Sequence, residues 1–330
     1  MNKLVVFGSA RADAFLELPA EAAEKLCDID TKKCVIELSY SSKIPLDGVH
    51  FLLGGNGANV AVGTKRLGVD SMLVAELGQG PLADFSKKEL DREIDTTYVT
   101  QTEGVAQGFG AVIMYQGERT ILSYYAPLDP QLPKEIDRCE TEWAYLTSTG
   151  ERFERYYEQI YEWLTKCESK LAFNPGGRQI AKGTDWLKKY LERCEIIFVN
   201  REEAEKIVGT SGTFGKEKDL LKSLSSLGPK ICVVTDGADG SFVYDGKRYI
   251  KAGILPIDSY ERTGAGDAFG VGCLSAIIKG KSFEEALLWG TINSASVIGY
   301  IGPENGLLAE KDIPEWIERA KSSEVKVEEF

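Results

Sequence analysis

The stretch Thr263-Gly264-Ala265-Gly266-Asp267-Ala268-Phe269-Gly270 places two glycines and then a carboxylate at the predicted start of a small-residue helix running toward Ile278. The N-terminus of a helix exposes unpaired N–H groups with partial positive charge, and glycine lets a ligand approach this backbone closely. Such a terminus binds phosphate well. A carboxylate beside it predicts a second task, the deprotonation of a hydroxyl that accepts a phosphoryl group. Taken alone, the stretch is equally typical of a tight turn before a capped helix.

A second glycine cluster, Gly54-Gly55-Asn56-Gly57-Ala58-Asn59, follows the apolar run Phe51–Leu53 and opens a predicted helix that ends at Leu67. Its glycines let the backbone approach a small polar ligand. The amides of Asn56 and Asn59 are suited to hydrogen-bond hydroxyl groups. An ordinary helix cap with a small-residue helix contact is the alternative interpretation.

Short apolar runs alternate with helical patterns along most of the chain. Runs dense in Val, Ile, Leu and Phe predict buried strands at Lys3–Gly8, Ser71–Gly78, Glu142–Ser148, Lys170–Pro175, Glu195–Asn200 and Lys230–Asp236. Helical patterns lie between them, at Gly57–Leu67, Arg155–Cys167, Thr184–Cys194, Glu202–Val208 and Lys216–Leu227. Near-continuous apolar strands that alternate with helices predict an α/β fold, a parallel sheet with helices on its faces.

Two regions interrupt this alternation and predict a small accessory sheet, or lid, beside the main sheet. In residues 13–53, Cys34–Tyr40 and Val49–Leu53 are typical of strands with exposed faces. Residues 105–125 form a second β-rich region with a hairpin turn at Gln116–Glu118. An irregular insertion is the alternative interpretation of both regions.

No linker, repeat or low-complexity tract divides the chain. We therefore expect residues 1–330 to form a single domain with the lid attached. The open edge of a lid sheet is a natural pairing surface and predicts a possible homodimer. The charged tail from Ser322 is expected to be mobile.

The composition bounds what the chain binds. The 39 Lys and Arg residues stand against 51 Asp and Glu, a net charge of −12, which argues against a general nucleic-acid or anionic-membrane binder. No apolar run approaches the ~20 residues that span a bilayer, and the first run is too short for a signal peptide, so a cytoplasmic protein is expected. The seven cysteines include no CxxC pair and are expected to be reduced, and the single histidine, His50, argues against zinc.

Polar residues collect after the predicted strands, where open parallel sheets bind ligands. Among them are Asp13, Asn174, Asn200, Glu203 and Thr235, and the glycines Gly237 and Gly240 follow the last of these strands. Each is by itself typical of a turn or a helix cap. Their meeting at one sheet edge, together with Gly264–Asp267, favours a ligand site.

These motifs resemble the two signatures of the ribokinase-like, or PfkB, family of carbohydrate and nucleoside kinases. Gly54–Asn59 resembles the first signature, and Arg262–Phe269 closely resembles the second. The elements Asn200-x-x-Glu203 and Thr235-x-Gly237 lie between them, as in the family. The resemblance extends from Gly8 to about Gly306. It implies a three-layer α/β/α fold, with a mostly parallel central sheet and a small β-sheet lid that closes over the acceptor.

The resemblance also implies a reaction, the transfer of the γ-phosphoryl group of ATP to an alcohol group of a small sugar. Asp267 resembles the general base, the N–H groups of Ala265, Gly266 and Asp267 resemble the anion hole, and Gly264 belongs to the same catalytic turn. Asn200 and Glu203 resemble the element that holds Mg²⁺, in part through water. Acceptor-binding positions are matched by Asp13, Gly54, Gly55, Asn56, Asn59, Asp129 and Asn174. Nucleotide-binding positions are matched by Asn200, Thr235, Gly237, Gly240, Thr263 and Asn293.

Two departures from the family pattern bear on the cation and on the acceptor. The second signature ordinarily begins with Asp, and this chain has Glu261 there. Because that region often supports a monovalent cation, dependence on K⁺ stays open. Many sugar kinases carry Gly-Ala-Asn near the end of the second lid segment, and Pro127–Asp129 stands here instead. That loop touches the acceptor in the family, so an acceptor other than ribose is expected.

Other functions stay open at this point. A nucleoside kinase uses the same fold and base, and Phe15, Phe109, Tyr124 and Tyr125 in the lid segments are candidates to stack on a nucleobase. A phosphorylated sugar would need a cationic clamp, for which the candidates are Arg11, Arg119 and Arg178. A non-catalytic sugar-binding or nucleotide-binding protein is the third class, although Asp267 and the glycines beside it are intact.

Overall fold

The computed structural model describes residues 4–27, 34–138 and 141–330. Its strands are β1 Leu4–Phe7, β2 Arg11–Glu17, β3 Ala23–Cys27, β4 Cys34–Leu38, β5 Gly48–Gly54, β6 Ser71–Gln79, β7 Val99–Ala106, β8 Phe109–Tyr115, β9 Glu118–Tyr124, β10 Trp143–Leu146, β11 Lys170–Phe173, β12 Cys194–Asn200, β13 Ile231–Thr235, β14 Ser241–Tyr244, β15 Tyr249–Ala252 and β16 Val327–Glu329. Its helices are α1 Asn56–Arg66, α2 Pro81–Glu93, α3 Glu154–Lys166, α4 Gly177–Ile180, α5 Thr184–Arg193, α6 Arg201–Val208, α7 Glu217–Ser225, α8 Ala265–Ile278, α9 Phe283–Ile298 and α10 Ile313–Ser322. Each strand and helix named from the main-sheet pattern is present, with its ends within two residues of the prediction.

The large sheet has the strand order β16-β15-β14-β13-β12-β11-β10-β1-β6-β7. From β7 across to β13 every pair of neighbours is parallel. The strands β14, β15 and β16 extend one edge in antiparallel fashion. The mostly parallel central sheet is therefore confirmed, and the carboxyl ends of its parallel strands share one edge.

The alternation of side chains along β1 shows how the layers form. Leu4 and Val6 belong to one buried cluster, which includes residues of α1, α8 and α9. Val5 and Phe7 point to the opposite face and belong to a second cluster with residues of α3, α5 and α7. Because all four side chains are fully buried, helices cover both faces of the sheet, and the three-layer α/β/α architecture is confirmed.

Helix α8 is apolar on all sides because it is enclosed by protein, with the segment Ala268–Ala276 buried. It packs on α9 without room for a side chain at the crossing: a Cβ added to Gly272 would lie 2.4 Å from the Trp289 carbonyl oxygen. This contact fixes the position of the α8 N-terminus. Neither α8 nor another helix in the described ranges has both the length and the hydrophobicity needed to cross a membrane.

The lid sheet has the order β5-β2-β8-β9. Strand β2 pairs with β5 antiparallel and with β8 parallel, and β8 and β9 form a hairpin. The predicted turn lies where expected, since Gln116 and Gly117 have φ angles of 51° and 77° and connect β8 to β9. The small β-sheet lid is thus present. That residues 1–330 form a single domain stays a prediction.

Strand β4 lies outside the lid sheet, because it pairs with β3 in a separate hairpin. Cys27 stands directly opposite Cys34 in this hairpin, and the two form a disulfide. The expectation of reduced cysteines is therefore wrong for this pair, and the hairpin register is the reason. Cys139 lies outside the described residues. Buried thiols are Cys194, Cys232 and Cys273.

The expectation of a mobile tail after Ser322 is also wrong. Strand β16 pairs with β15 at the edge of the large sheet. The ring of Phe330 lies 5.6 Å from that of Phe242 and 6.3 Å from that of Tyr249. The apolar residues between the charges of this tail, among them Val327, pack against the protein, which is why the segment is ordered.

Candidate active site

The turn before α8 brings backbone N–H groups to the edge of the sheet. Gly264 has a φ of 79°, and a Cβ there would lie 2.4 Å from the Pro303 Cβ, so this turn requires glycine. Helical hydrogen bonding starts with the Ala268 N–H donating to the Gly264 carbonyl oxygen at 2.8 Å. The N–H groups of Gly266 and Asp267 come before this first helical bond, so they have no carbonyl partner within the helix. The Ala265 N–H has a long contact of 3.4 Å with the Arg262 carbonyl oxygen. The turn thus presents backbone N–H groups at a helix N-terminus, an arrangement that can bind an anion.

The Asp267 carboxylate joins the two glycine-rich signatures. Its Oδ1 accepts from the Asn56 Nδ2 at 3.0 Å, and its Oδ2 accepts from the Asn59 Nδ2 at 2.7 Å. Burial raises the pKa of Asp267 to about 6, against the opposing effect of the hydrogen bonds from Asn59 and then Asn56. Sequence reasoning assigned these two amides to the acceptor. In the structure they hold the carboxylate.

Close backbone packing positions the first signature. Gly55 has a φ of 99°, and a Cβ there would lie 2.6 Å from the Ser9 carbonyl oxygen. A Cβ on Gly57 would lie 2.6 Å from the Gly8 carbonyl carbon. The glycines thus press the start of α1 against the end of β1, and this places Asn56 and Asn59 beside Asp267.

A first cavity of about 280 Å³ lies between the lid and the sheet edge. Asp13, on the lid strand β2, lines it and forms an ion pair with Arg11 at 2.8 Å. Burial raises the pKa of Asp13, and Arg11 opposes that effect. A Cβ on Gly54 or on Gly110 would lie 2.5 Å or 2.3 Å from an oxygen of this carboxylate. The role of Gly54 is therefore spatial, because its missing side chain makes room for Asp13.

A second cavity of about 300 Å³ lies beyond the α8 N-terminus and is lined by Asn174, Asn200, Glu203 and Thr235. The Asn200 Oδ1 accepts from the Glu203 N–H, and the Glu203 Oε2 accepts from the Asn200 N–H, both at 2.9 Å. This reciprocal pair caps α6. Burial raises the pKa of Glu203, and the nearby Asp267 adds to that effect. Within the described ranges no three His, Cys, Asp or Glu side chains are grouped as metal ligands.

Several residues predicted to bind the acceptor or the nucleotide lie outside the cavity where they were expected. Asn174 lines the second cavity, and Thr263 lines the first. Asn293 is fully buried, donating to the Ala268 carbonyl oxygen and accepting from the Leu308 N–H. Asp129 is exposed beside Arg155, at 3.9 Å. Neither Gly237 nor Gly240 lines either cavity.

The structure adds two polar residues to the first cavity, Glu76 and Gln107. Glu76 receives a hydrogen bond from the Thr102 hydroxyl, and burial raises its pKa. Gln107 bridges the Gly78 N–H and the Ala10 carbonyl oxygen, at 2.6 and 3.2 Å. Glu76 could have been recognised from the sequence, because it is a charged residue inside the apolar run Ser71–Gly78. The sequence holds no comparable signal for Gln107.

Solved structures identify the fold as ribokinase-like. The chain superposes on the structure of Arabidopsis thaliana ribokinase complexed with ribose and ATP, with a TM-score of 0.77, 21% identity and coverage of 96% of this chain and 99% of that one. The nucleoside kinase of Methanocaldococcus jannaschii gives a TM-score of 0.74 at 21% identity, covering 98% and 99% of the two chains.

The sequence model of the pfkB family carbohydrate kinases matches residues 24–310, so this chain belongs to that family and is a phosphotransferase with a hydroxyl acceptor. A 6-phosphofructokinase of Thermoanaerobacterium thermosaccharolyticum that uses ATP is 25% identical, over 91% of this chain and 92% of that protein. A cytidine kinase of Thermococcus kodakarensis is 33% identical, over 74% and 87%. The relatives thus include both sugar and nucleoside kinases.

Proposed function

We propose that this protein transfers the γ-phosphoryl group of ATP to a hydroxyl group of a small sugar, with Asp267 as general base. The observation that carries the proposal is the position of Asp267, which lines both cavities at the start of α8. One cavity is suited to an acceptor and the other to phosphates, and the carboxylate lies between them. A pKa of about 6 leaves Asp267 ionised near neutral pH and basic enough to take a proton.

The residues of the chain perform three tasks in this reaction. Asp13 and Glu76 supply carboxylate oxygens that accept hydrogen bonds from acceptor hydroxyls in the first cavity. Asp267 takes the proton of the hydroxyl that attacks. The N–H groups of Gly266 and Asp267 donate to the phosphate oxygens as charge develops on them. The lid strands cover the acceptor and exclude water.

The second cavity fits Mg²⁺ held mainly through water. Its donor set is oxygen-rich, with Asn200 and Glu203 adjacent to the α8 N-terminus, and one or two carboxylates with waters and phosphate oxygens suit this ion. Magnesium there would neutralise charge on the phosphate groups of ATP. Thr235 lines the same cavity and is assigned with Asn200 to the nucleotide side.

The hydrogen bonds of Glu261 lead us to expect turnover that does not depend on potassium. This buried carboxylate accepts from the Thr263 N–H at 2.5 Å and from the Gly302 N–H at 3.0 Å. These two hydrogen bonds already join the segments of Thr263 and Gly302 without a cation. We expect turnover in potassium chloride and in choline chloride to agree within about twofold, and stimulation of tenfold or more by potassium would contradict this assignment.

The second candidate is a nucleoside kinase. Of the four lid aromatics, Tyr124 and Tyr125 line the first cavity, so they are placed to stack on a base, whereas Phe15 is fully buried in the lid core. The relationship to a cytidine kinase supports the same candidate.

An acceptor panel tests the proposal. The assay measures ADP release from ATP and Mg²⁺ with pentoses, hexoses, sugar phosphates and nucleosides. A sugar should give the highest kcat/KM, and the Asp267→Asn variant should lose at least ~10²–10⁴-fold in kcat. Preference for a nucleoside selects the second candidate. Tight ligand binding in calorimetry with no ADP from any acceptor would instead indicate a non-catalytic binding protein.

A further inference from the structure

The two cavities meet at one group of residues. Those that line both are Asn56, Arg119, Gly264 and Asp267. Arg119 is the one cation in this group. It comes from the lid strand β9, on the same face as Ile121, which lines the first cavity. A lid arginine therefore lines the junction of the two cavities.

Arg119 differs from the other arginines at the site in having no partner among the described residues. Its Nε is buried without a hydrogen bond, and no described carboxylate forms an ion pair with it. The other arginines that line the two cavities are both paired, Arg11 with Asp13 at 2.8 Å and Arg262 with Glu118 at 3.6 Å. A buried, unpaired donor on a cation is costly. The Arg11 Nε also lacks a hydrogen bond but lies 2.8 Å from the Asp13 carboxylate, so among the described arginines of the two cavities it is Arg119 that lacks an ion pair, and it faces both cavities.

We infer that Arg119 is a catalytic residue that donates hydrogen bonds to the non-bridging oxygens of the phosphoryl group during transfer. This rests on the proposed function. The acceptor oxygen forms a bond to the γ-phosphorus as the bond from that phosphorus to the β–γ bridging oxygen breaks. The electron pair of the broken bond leaves with ADP, and the acceptor proton goes to Asp267. Arg119 forms and breaks no covalent bond, and its charge offsets the charge on the group in transit.

The alternative role is a clamp for a phosphate already present on the acceptor. Such a clamp would lie within the first cavity, away from the phosphates of ATP. Arg119 also lines the second cavity beside Gly264 and Asp267, which favours the transferred group over a distant acceptor phosphate.

The experiment compares Arg119→Met, which keeps most of the apolar stem, with Arg119→Lys and with the control Glu118→Gln. Glu118 is the preceding lid residue and contacts Arg262 of the second signature at 3.6 Å, so its variant tests whether loss of a neighbouring contact between the lid and that signature is enough to lower the rate. We expect Arg119→Met to lower kcat about 100-fold or more, with the acceptor KM changed less than about threefold. Arg119→Lys should recover part of the rate, and Glu118→Gln should remain within about threefold of wild type.

A binding measurement separates this role from a structural one. Calorimetry with Mg²⁺, ADP, aluminium fluoride and the acceptor reports on a mimic of the planar phosphoryl group. Arg119→Met should weaken that complex at least tenfold while binding ADP alone as wild type does. A rise in acceptor KM at unchanged kcat, or an unchanged kcat and mimic affinity, overturns the inference and leaves the proposed function intact. A wild-type protein that forms no ADP with any acceptor overturns both.

Discussion

The first turn of α8 and the lid sheet face each other across the first cavity, and they are packed very differently. At Gly264, directly before α8, an added Cβ would lie 2.4 Å from the Pro303 Cβ. In the lid, Phe51 and Leu122 are 53% and 58% exposed. The turn has no room for a side chain at Gly264, so it suits a reaction that requires fixed geometry. The lid has exposed surfaces that tolerate substitution, so changes of substrate specificity there should lower the stability of the fold least.

The strongest challenge to this contrast is Gly264→Ala. The new methyl group would meet Pro303 and would require a φ of 79°, which costs ~1–3 kcal/mol of stability. The shifted turn should also lower kcat about 100-fold. Denaturant unfolding and steady-state kinetics measure the two effects. The matched control is Gly266→Ala, whose Cβ would meet nothing within 4 Å and which should keep wild-type stability. Equal stability of both variants would show that the turn is not tightly constrained.

The Asp13→Asn variant tests the lid side of this comparison. This change removes a charged oxygen to which a substrate hydroxyl would donate a hydrogen bond in the first cavity. The KM for the phosphoryl acceptor should therefore rise about 10–100-fold, with the KM for ATP nearly unchanged. The control is Asp129→Asn, because Asp129 is exposed beside Arg155 and should have little effect. If Asp129→Asn raises the acceptor KM more than Asp13→Asn does, the lid closes around the acceptor in another way than this geometry indicates.

The contact between the two signatures controls the pH dependence. Because Asp267, the proposed base, can take a proton only when it is ionised, kcat/KM should fall as the pH drops through about 6, its raised pKa. The Asn59 hydrogen bond lowers that pKa, so Asn59→Ala should move the acid limb upward, by about one pH unit. Asn56→Ala should move it in the same direction by less. A limb that stays in place in both variants would mean that another group governs it.

The smallest expected effect concerns the outer surface of the lid. Val49, Phe51 and Leu122 are exposed apolar residues on its strands, and we predict that they contribute to a homodimer through the lid. Leu122→Glu should weaken association at least tenfold in light scattering while leaving kcat within about twofold. A wild-type protein that is monomeric at all concentrations contradicts the prediction.

Much of the fold could be predicted because its strands and helices carry local signals. The apolar runs identified β1, β6 and β10 to β13, and glycine-rich turns identified the starts of α1 and α8. The antiparallel edge β14 to β16 was not recognised, since the pairing of β16 depends on a distant strand. The Cys27–Cys34 pair was missed because spacing alone does not show that two residues face each other across a hairpin.

The candidate site was predictable in its backbone and less so in its side chains. Gly264 and Gly266 were identified from the motif, since glycine marks where a chain needs close approach. The hydrogen bonds of Asn56 and Asn59 to Asp267 join residues more than 200 positions apart, which local patterns do not encode. Asn293 was assigned to the nucleotide, but its amide satisfies buried backbone groups at Ala268 and Leu308. The assigned roles themselves stay predictions.

The crossing of α8 and α9 at Gly272 also has a consequence for hydrogen exchange. Helix α8 cannot move away from the sheet alone, because its backbone is in contact with Trp289 on α9. Its amides beyond the first turn should therefore exchange with solvent only through global unfolding, although the helix starts at an open cavity. Slow exchange of this kind, together with fast exchange in β9, would mean that the phosphate side is preorganised before any ligand arrives.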